Sequence, residues 1–270
     1  MKKTPTQTSR RSWSVVIPYF NEERFIERTL RSLLDQTLGG FKLILVNNGS
    51  TDSSELICRR AVAAVQDIEV LFLNERRPGQ VYALEAGIAG VDTDYVAICD
   101  ADTYYPPHYL SLADSIFERA DEETAAVMAM DIYTHPRSGI AKLARLKGQI
   151  MSRVFRNQCH TGGYGMCFNT EILKRAGGYS RRVWPYVVKD HELVNRVLRL
   201  GRTVYNYDLW CMPSDRRQDR KAVRWDLLER ILYHLTPFAM KEWYFYGFLG
   251  PRLRRRRQDE LVLRDRSWSS

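Results

Sequence analysis

An α/β fold, with a mostly parallel sheet flanked by helices and a basic helical C-terminal tail, is what this 270-residue sequence predicts. Two observations carry the prediction. The first hundred residues alternate short apolar runs with segments whose apolar residues recur at helical spacing, the signature of strands joined by crossover helices. The positive charge is concentrated late: residues 216–257 hold twelve Lys/Arg against four acids, a net of +8 in a chain whose total is +9. Length and apolar content allow one large domain or two joined halves around a sizeable core.

The elements follow in order. "WSVVIPY" (13–19) reads as a buried strand ended by proline, and 22–36 as a helix with Phe25, Ile26, Leu30, Leu33 and Leu34 on one face and Asn21 as its N-cap. "KLILVNN" (42–48) is strand, "STDSSELICRRAVAA" a capped helix, 68–73 strand, 80–90 helix and 94–100 strand. Beyond these, 106–120 reads as helix, 125–131 as strand, 138–156 as an amphipathic helix, and 160–169 as a glycine-rich turn entering a strand. Helices are expected at 170–176, 189–200 and 222–235, with one or two strands over 203–212.

Composition narrows the function. Five cysteines in no metal-ligand spacing read as free core thiols of a reducing compartment. No run approaches the length of a membrane span, and no apolar leader follows the polar N-terminal residues 1–12. The expectation is a cytoplasmic protein, in solution or peripheral at the cytoplasmic face of the membrane.

In an open sheet of this kind ligands collect at the carboxyl ends of the strands. Asn21, Asn47, Asn48, Asp100 and Asp102 fall there. Asp100 and Asp102, two residues apart on an extended chain, point to one side and repel unless a cation lies between them. Alone, such a pair is more often a helix cap or a solvated loop. At a ligand-facing edge it suits a hard divalent cation, Mg²⁺ or Mn²⁺, shared with phosphate oxygens.

"SVVIPYFNEERFIERTLRSLLDQT", "LILVNNGSTDSS", "AICDADTYYPPHYL", "GGYGMCFNTEILKRAGGY" and "KDHELVNRVLRLG", in this order, resemble an inverting, non-processive family 2 glycosyltransferase of the Rossmann-like GT-A fold. The resemblance runs from residue 13 to about 217. It implies a catalytic domain over 13–215, divided into a nucleotide-binding half (13–105) and an acceptor half (106–215), before the basic, aromatic-rich region 216–270. It also implies that Pro18, Tyr19, Asn21 and Glu22, with Asn48 and Ser50 of "NNGSTD", flank the nucleotide of a sugar donor. Asp100 approaches ribose and metal, and Asp102 ligates the metal. Asp190 is the general base that takes the acceptor's proton; the rival reading is a helix cap.

Several positions depart from the family pattern. Asn48 replaces the usual base-reading Asp, and Ala83-Leu84-Glu85 replaces an Arg-bearing triplet, leaving Arg76 and Arg77 as pyrophosphate ligands or solvated charges. Lys189, before Asp190, either holds it ionised or faces solvent; His191 reads as an exposed helix residue. Glycines 162, 163 and 165 read as a turn framing the acceptor side, and His160 or His135 as polar surface or a third metal ligand. Arg216 and Arg217 of "PSDRRQDR" fit a diphosphate or acceptor phosphate, or are surface charge.

By the resemblance, one sugar moves from a nucleotide-diphosphate donor, UDP-linked, to a hydroxyl of a glycan or lipid-linked acceptor. Two other classes share some features. A sugar-phosphate nucleotidyltransferase needs a glycine-rich phosphate loop that "IPYFNEER" lacks. A non-catalytic membrane-surface or nucleic-acid-binding protein accounts for "FAMKEWYFYGFLG" and "RLRRRR" but leaves the five blocks idle. The aromatic and arginine-rich tail suits an anionic membrane surface better than nucleic acid.

Overall fold

The structure, a computed structural model, describes residues 11–218 and 226–263. The N-terminal residues to 10, the first residues of the expected 222–235 helix, and residues 264–270 lie outside the described residues.

The strands are β1 (Trp13–Tyr19), β2 (Lys42–Asn47), β3 (Glu69–Asn74), β4 (Tyr95–Ile98), β5 (Thr103–Tyr104), β6 (Thr124–Asp131), β7 (Met166–Asn169) and β8 (Arg202–Pro213). They form one sheet in the order β3-β2-β1-β4-β7-β6-β8-β5. The β3-β2-β1-β4 half is wholly parallel. Antiparallel β7 then enters between β4 and β6, and β8 runs parallel to β6 before pairing antiparallel with β5. The helices are α1 (Ile26–Leu34), α2 (Ser54–Val62), α3 (Gln80–Ala89), α4 (Tyr109–Arg119), α5 (Gly139–Val154), α6 (Thr170–Arg175), α7 (Lys189–Val197), α8 (Leu227–Leu235) and α9 (Gly250–Arg255).

Alternation along the strands divides the core. Val15 and Ile17 of β1 join Leu43, Leu45 and residues of α1, α2 and α4 on one face. Val16 joins Ile44, Val46 and residues of α3, α6 and α7 on the other. Pro18 is tolerated in this inner strand because β4 pairs with β1 only as far as Val16. Its missing N–H faces the side from which β4 has already ended. Gly87 allows α3 to lie close over the sheet, since a Cβ there would meet Val16 Cγ1 at 2.4 Å. All five cysteines are free and buried, as expected of core thiols.

Asn21 does not cap the first helix. That helix begins at Ile26, after a turn in which Phe25 N and Ile26 N both bond to Glu22 O. Asn21 instead adopts a left-handed φ of 53°, accessible to asparagine, and its Oδ1 accepts from Thr51 N at 2.8 Å. A local cap is thereby exchanged for a tie between the loops after β1 and β2.

The described C-terminal segment packs back on the domain. Tyr244, Phe245, Leu249 and Leu253 form a third cluster with Trp184, Val187 and Tyr233. Arg252 and Arg256 pair with Asp226 and the buried Glu229 at the start of α8, where Asp226 and Glu229 make a reciprocal capping box. Glu260 reaches the parallel half of the fold, its Oε2 accepting from Val81 N in the first turn of α3 at 2.9 Å.

Candidate functional site

A cleft of about 1500 Å³ opens along the carboxyl ends of β1, β2 and β4. Of the residues singled out in the sequence, Pro18, Tyr19, Asn21, Glu22, Asn48, Asp100, Asp102, Asp190 and Arg216 line it. Ser50 does not; its hydroxyl accepts from Asn21 N at 3.1 Å and supports the loop from behind. Arg217's side chain lies outside the described residues.

The carboxylate pair sits at the floor, both members nearly fully buried. Asp100 Oδ1 accepts from Gln80 Nε2 at 3.0 Å, and its N–H donates to Tyr105 Oη. Asp102 Oδ2 accepts from Ser214 Oγ and from Arg216 Nε, each at 2.8 Å. Pairing of Thr103 with Pro213 brings these distant residues together. The Arg216 guanidinium also reaches Glu22 Oε1 at 2.5 Å and stacks over the Phe25 ring at 4.6 Å. Burial opposes its charge, but the Asp102 and Glu22 carboxylates prevail and raise its pKa. In this structure the cation beside Asp102 is an arginine.

The donor set suits a hard cation. Asp100 and Asp102 offer carboxylate oxygens, the ligand type of Mg²⁺ and Mn²⁺. No group of three His, Cys, Asp or Glu suited to a metal ion occurs among the described residues. Such an ion would therefore complete its shell with oxygens from a ligand or water. Both histidines considered as a third ligand line the cleft and have other partners. His160 Nε2 contacts Phe155 O at 2.9 Å, and His135 Nδ1 accepts from Arg137 N.

Asp190 lies in the first turn of α7, after Val188 in the left-handed region at φ 64°, which a β-branched residue resists. Its Oδ1 accepts from Tyr179 Oη at 2.8 Å. The glycine turn is pressed against the same carboxylate: a Cβ on Gly163 would lie 2.7 Å from Asp190 Oδ1. Lys189 does not simply face solvent: its Nζ donates to Gln80 Oε1 at 2.9 Å. Gln80 thus links Lys189 to Asp100 across the cleft. His191 is half-buried rather than exposed, with Nδ1 3.2 Å from Tyr233 Oη.

The loop after β2 is tied to its neighbours on both sides. Asn48 Nδ2 donates to Glu75 O and Arg77 O, and Oδ1 accepts from Gly79 N, so the amide braces the loop before α3. Arg76 and Arg77 are exposed and outside the cleft lining, and Arg77 is held by Glu75 at 2.7 Å. Sequence reasoning passed over Gln80, which carries no motif, and the roles of Tyr179 and Ser214, which lay inside quoted blocks without any sign of their partners.

The family model for Glycosyl transferase family 2 matches residues 14–174, well over half of the chain. The chain belongs to glycosyl transferase family 2. An uncharacterized glycosyltransferase of Nostoc sp. is 33% identical over 109 residues, which is 40% of this chain and 33% of that protein. The undecaprenyl-phosphate 4-deoxy-4-formamido-L-arabinose transferase of Proteus mirabilis is 37% identical over 98 residues, 35% of this chain and 30% of that protein. The chain thus aligns with about a third of each of these relatives. Among solved structures, the mannosyltransferase PcManGT from Pyrobaculum calidifontis, in complex with GDP-Man and Mn²⁺, superposes with a TM-score of 0.64 at 22% identity. That match covers 87% of this chain and 65% of the neighbour. The family 2 member described here therefore has the α/β GT-A fold, including the parallel half expected from its first hundred residues.

Proposed function

We propose that this family 2 protein is an inverting, non-processive glycosyltransferase that moves one sugar from a nucleotide-diphosphate donor, UDP-linked, to a hydroxyl of a glycan or lipid-linked acceptor. One observation carries the reading: the Asp100/Asp102 pair and Asp190, from two sequence blocks far apart in the chain, line one cleft at the carboxyl edge of the sheet. The names of the relatives support the class, since the Proteus protein is named an undecaprenyl-phosphate 4-deoxy-4-formamido-L-arabinose transferase and PcManGT was captured with GDP-Man and Mn²⁺.

The chain's own residues divide the work. The loops after β1 and β2, tied by Asn21 and braced by Asn48, form the wall beside the nucleotide. Asp102 and Asp100 would hold a divalent cation, which when bound neutralises the leaving diphosphate. Arg216, on the same carboxylate, supplies a second cationic group of the type that binds diphosphate oxygens. Asp190, held by Tyr179, takes the acceptor hydroxyl's proton as the sugar carbon is attacked from the face opposite the leaving group.

Binding of nucleotide sugars, screened by calorimetry with and without Mn²⁺, followed by product analysis, tests this reading. Asp190→Asn is expected to retain donor binding and lose transfer; Asp102→Asn is expected to weaken metal-dependent donor binding. Unchanged transfer in both variants would discard the assignment.

A further inference from the structure

We infer that the outward faces of α5 and α8 form a docking surface for an anionic lipid bilayer. An ordinary surface helix turns its apolar stripe to the core and its polar face to water. These two also turn large apolar residues outward. On α5, Ile140, Leu143 and Val154 are 70%, 66% and 65% exposed, and Leu146 and Ile150 are also exposed. The side turned inward carries small or polar residues, Ala141, Gly148 and Ser152, with Gly148 set against Met130. On α8, Leu227 and Leu235 are 74% and 71% exposed beside Leu228 and Ile231, while Glu229 and Tyr233 point inward.

The C-terminal ends of the two helices meet. The Phe155 ring, directly after α5, lies 5.1 Å from the His234 ring of α8, and Gln158 Nε2 donates to His234 O at 3.2 Å. Charge selects the occupant. Helix α5 contains Lys142, Arg145, Lys147 and Arg153 and no acid; Arg145 turns inward over Tyr207, and the other three are exposed. Arg156 and Arg230 add exposed positive charge, and Glu229, the acid within α8, is buried against Arg252 and Arg256. Apolar side chains bordered by cations fit the headgroup boundary of an anionic membrane. A symmetric second copy would set like charges against each other.

This surface differs from the tail expected from the sequence, whose Tyr244, Phe245 and Leu249 are buried. It also adjoins the cleft: residues 134–136 before α5 and 159–163 after it line the opening. A bilayer on this face would lie beside the acceptor end, whatever the sugar transferred.

Flotation of the full chain with vesicles of phosphatidylcholine alone, or with about one-third phosphatidylglycerol, tests the inference without turnover. The expected result is binding to the anionic vesicles only, weakened by salt. The variant Leu143→Gln/Ile150→Gln/Val154→Gln should bind about tenfold more weakly or worse at unchanged melting temperature, these positions being solvent-facing. Lys142→Glu/Lys147→Glu/Arg153→Glu should lose the anionic preference while keeping the apolar stripe. Failure of the wild-type chain to float with anionic vesicles, or equal flotation of the apolar variant, overturns the inference. So does a wild-type dimer that the apolar variant converts to monomer without any vesicle binding, which would assign the face to a second copy.

Discussion

Arg216 Nε lies 2.8 Å from Asp102 Oδ2, and the same guanidinium reaches Glu22 at 2.5 Å. One buried cation thus joins the loop after β1, the floor of the cleft and the segment after β8. Removing it leaves two carboxylates in a poorly hydrated place. Arg216→Ala is expected to cost about 3 kcal/mol, a typical loss when one partner of a buried ion pair is deleted. In a chain of this size that is a fall of roughly 6 °C or more in melting temperature. Millimolar Mn²⁺ should restore part of it by replacing the lost charge. Differential scanning calorimetry with and without the ion reads both effects, and an unchanged melting temperature would contradict the assigned pairing.

Tyr179 holds Asp190 through a single hydrogen bond of 2.8 Å. Phenylalanine keeps the ring, which is buried, and deletes only that bond. Tyr179→Phe is expected to lower kcat about tenfold, because the proposed proton acceptor, no longer oriented, spends less time in reactive geometry. Donor KM should stay put, as Tyr179 acts through Asp190. A raised donor KM at constant kcat would assign Tyr179 to donor binding instead.

Gly163 gives room to the same carboxylate. An alanine methyl would fall 2.7 Å from Asp190 Oδ1, and the movable end of a side chain yields more readily than the backbone. Gly163→Ala should therefore displace Asp190, with a loss of roughly 10- to 100-fold in kcat. The melting temperature should shift little. Full activity in this variant would mean that the carboxylate position is not critical.

Lys241 is a separate test of the C-terminal packing. Burial lowers its pKa to about 8, and its ammonium sits over the Tyr233 ring at 4.0 Å. The unfolded chain holds this proton up to the ordinary lysine value of 10.5, so between about pH 8 and 10.5 the unfolded state binds more protons than the folded one. The lysine's unfavourable contribution, complete below pH 8, is relieved as pH rises through that window. Relative to Lys241→Met, the wild-type protein should gain about 1.4 kcal/mol per pH unit there. Taking the difference cancels the thiol and tyrosine ionisations that both proteins share. Urea titrations at pH 7.5, 8.5 and 9.5 (values near the expected window) read the slope; a constant difference would show that Lys241 keeps its ordinary pKa.

Elements whose identity depends on local periodicity were legible. β1, β2, α3 and α6 fall within a residue or so of the ranges expected from apolar spacing. The first helix starts later because Asn21, a good cap by chemistry, is recruited by Thr51 of another loop. His191 looked exposed by type and is half-buried because Tyr233 of α8 covers it. The carboxylates were found from their place after a strand and within family blocks. Their protein partners were not, since Gln80, Ser214 and Tyr179 have no local pattern that announces a hydrogen bond to an aspartate.

By itself, the sequence determined the alternation of strands and helices, the family, and the edge of the sheet where the acids collect. Hydrophobic period and short motifs are properties of neighbouring residues, and neighbours stay neighbours in any fold. Only the tertiary structure decided that Arg216 meets Asp102 across 114 positions, and that Glu260 meets Val81 across 179. It also decided that Tyr244, Phe245, Leu249 and Leu253 of the C-terminal segment pack inward while α5 and α8 turn leucines outward. Such pairings depend on which surfaces the sheet order brings together, and burial then selects, from many chemically equivalent arginines and glutamates, those whose charges can be matched.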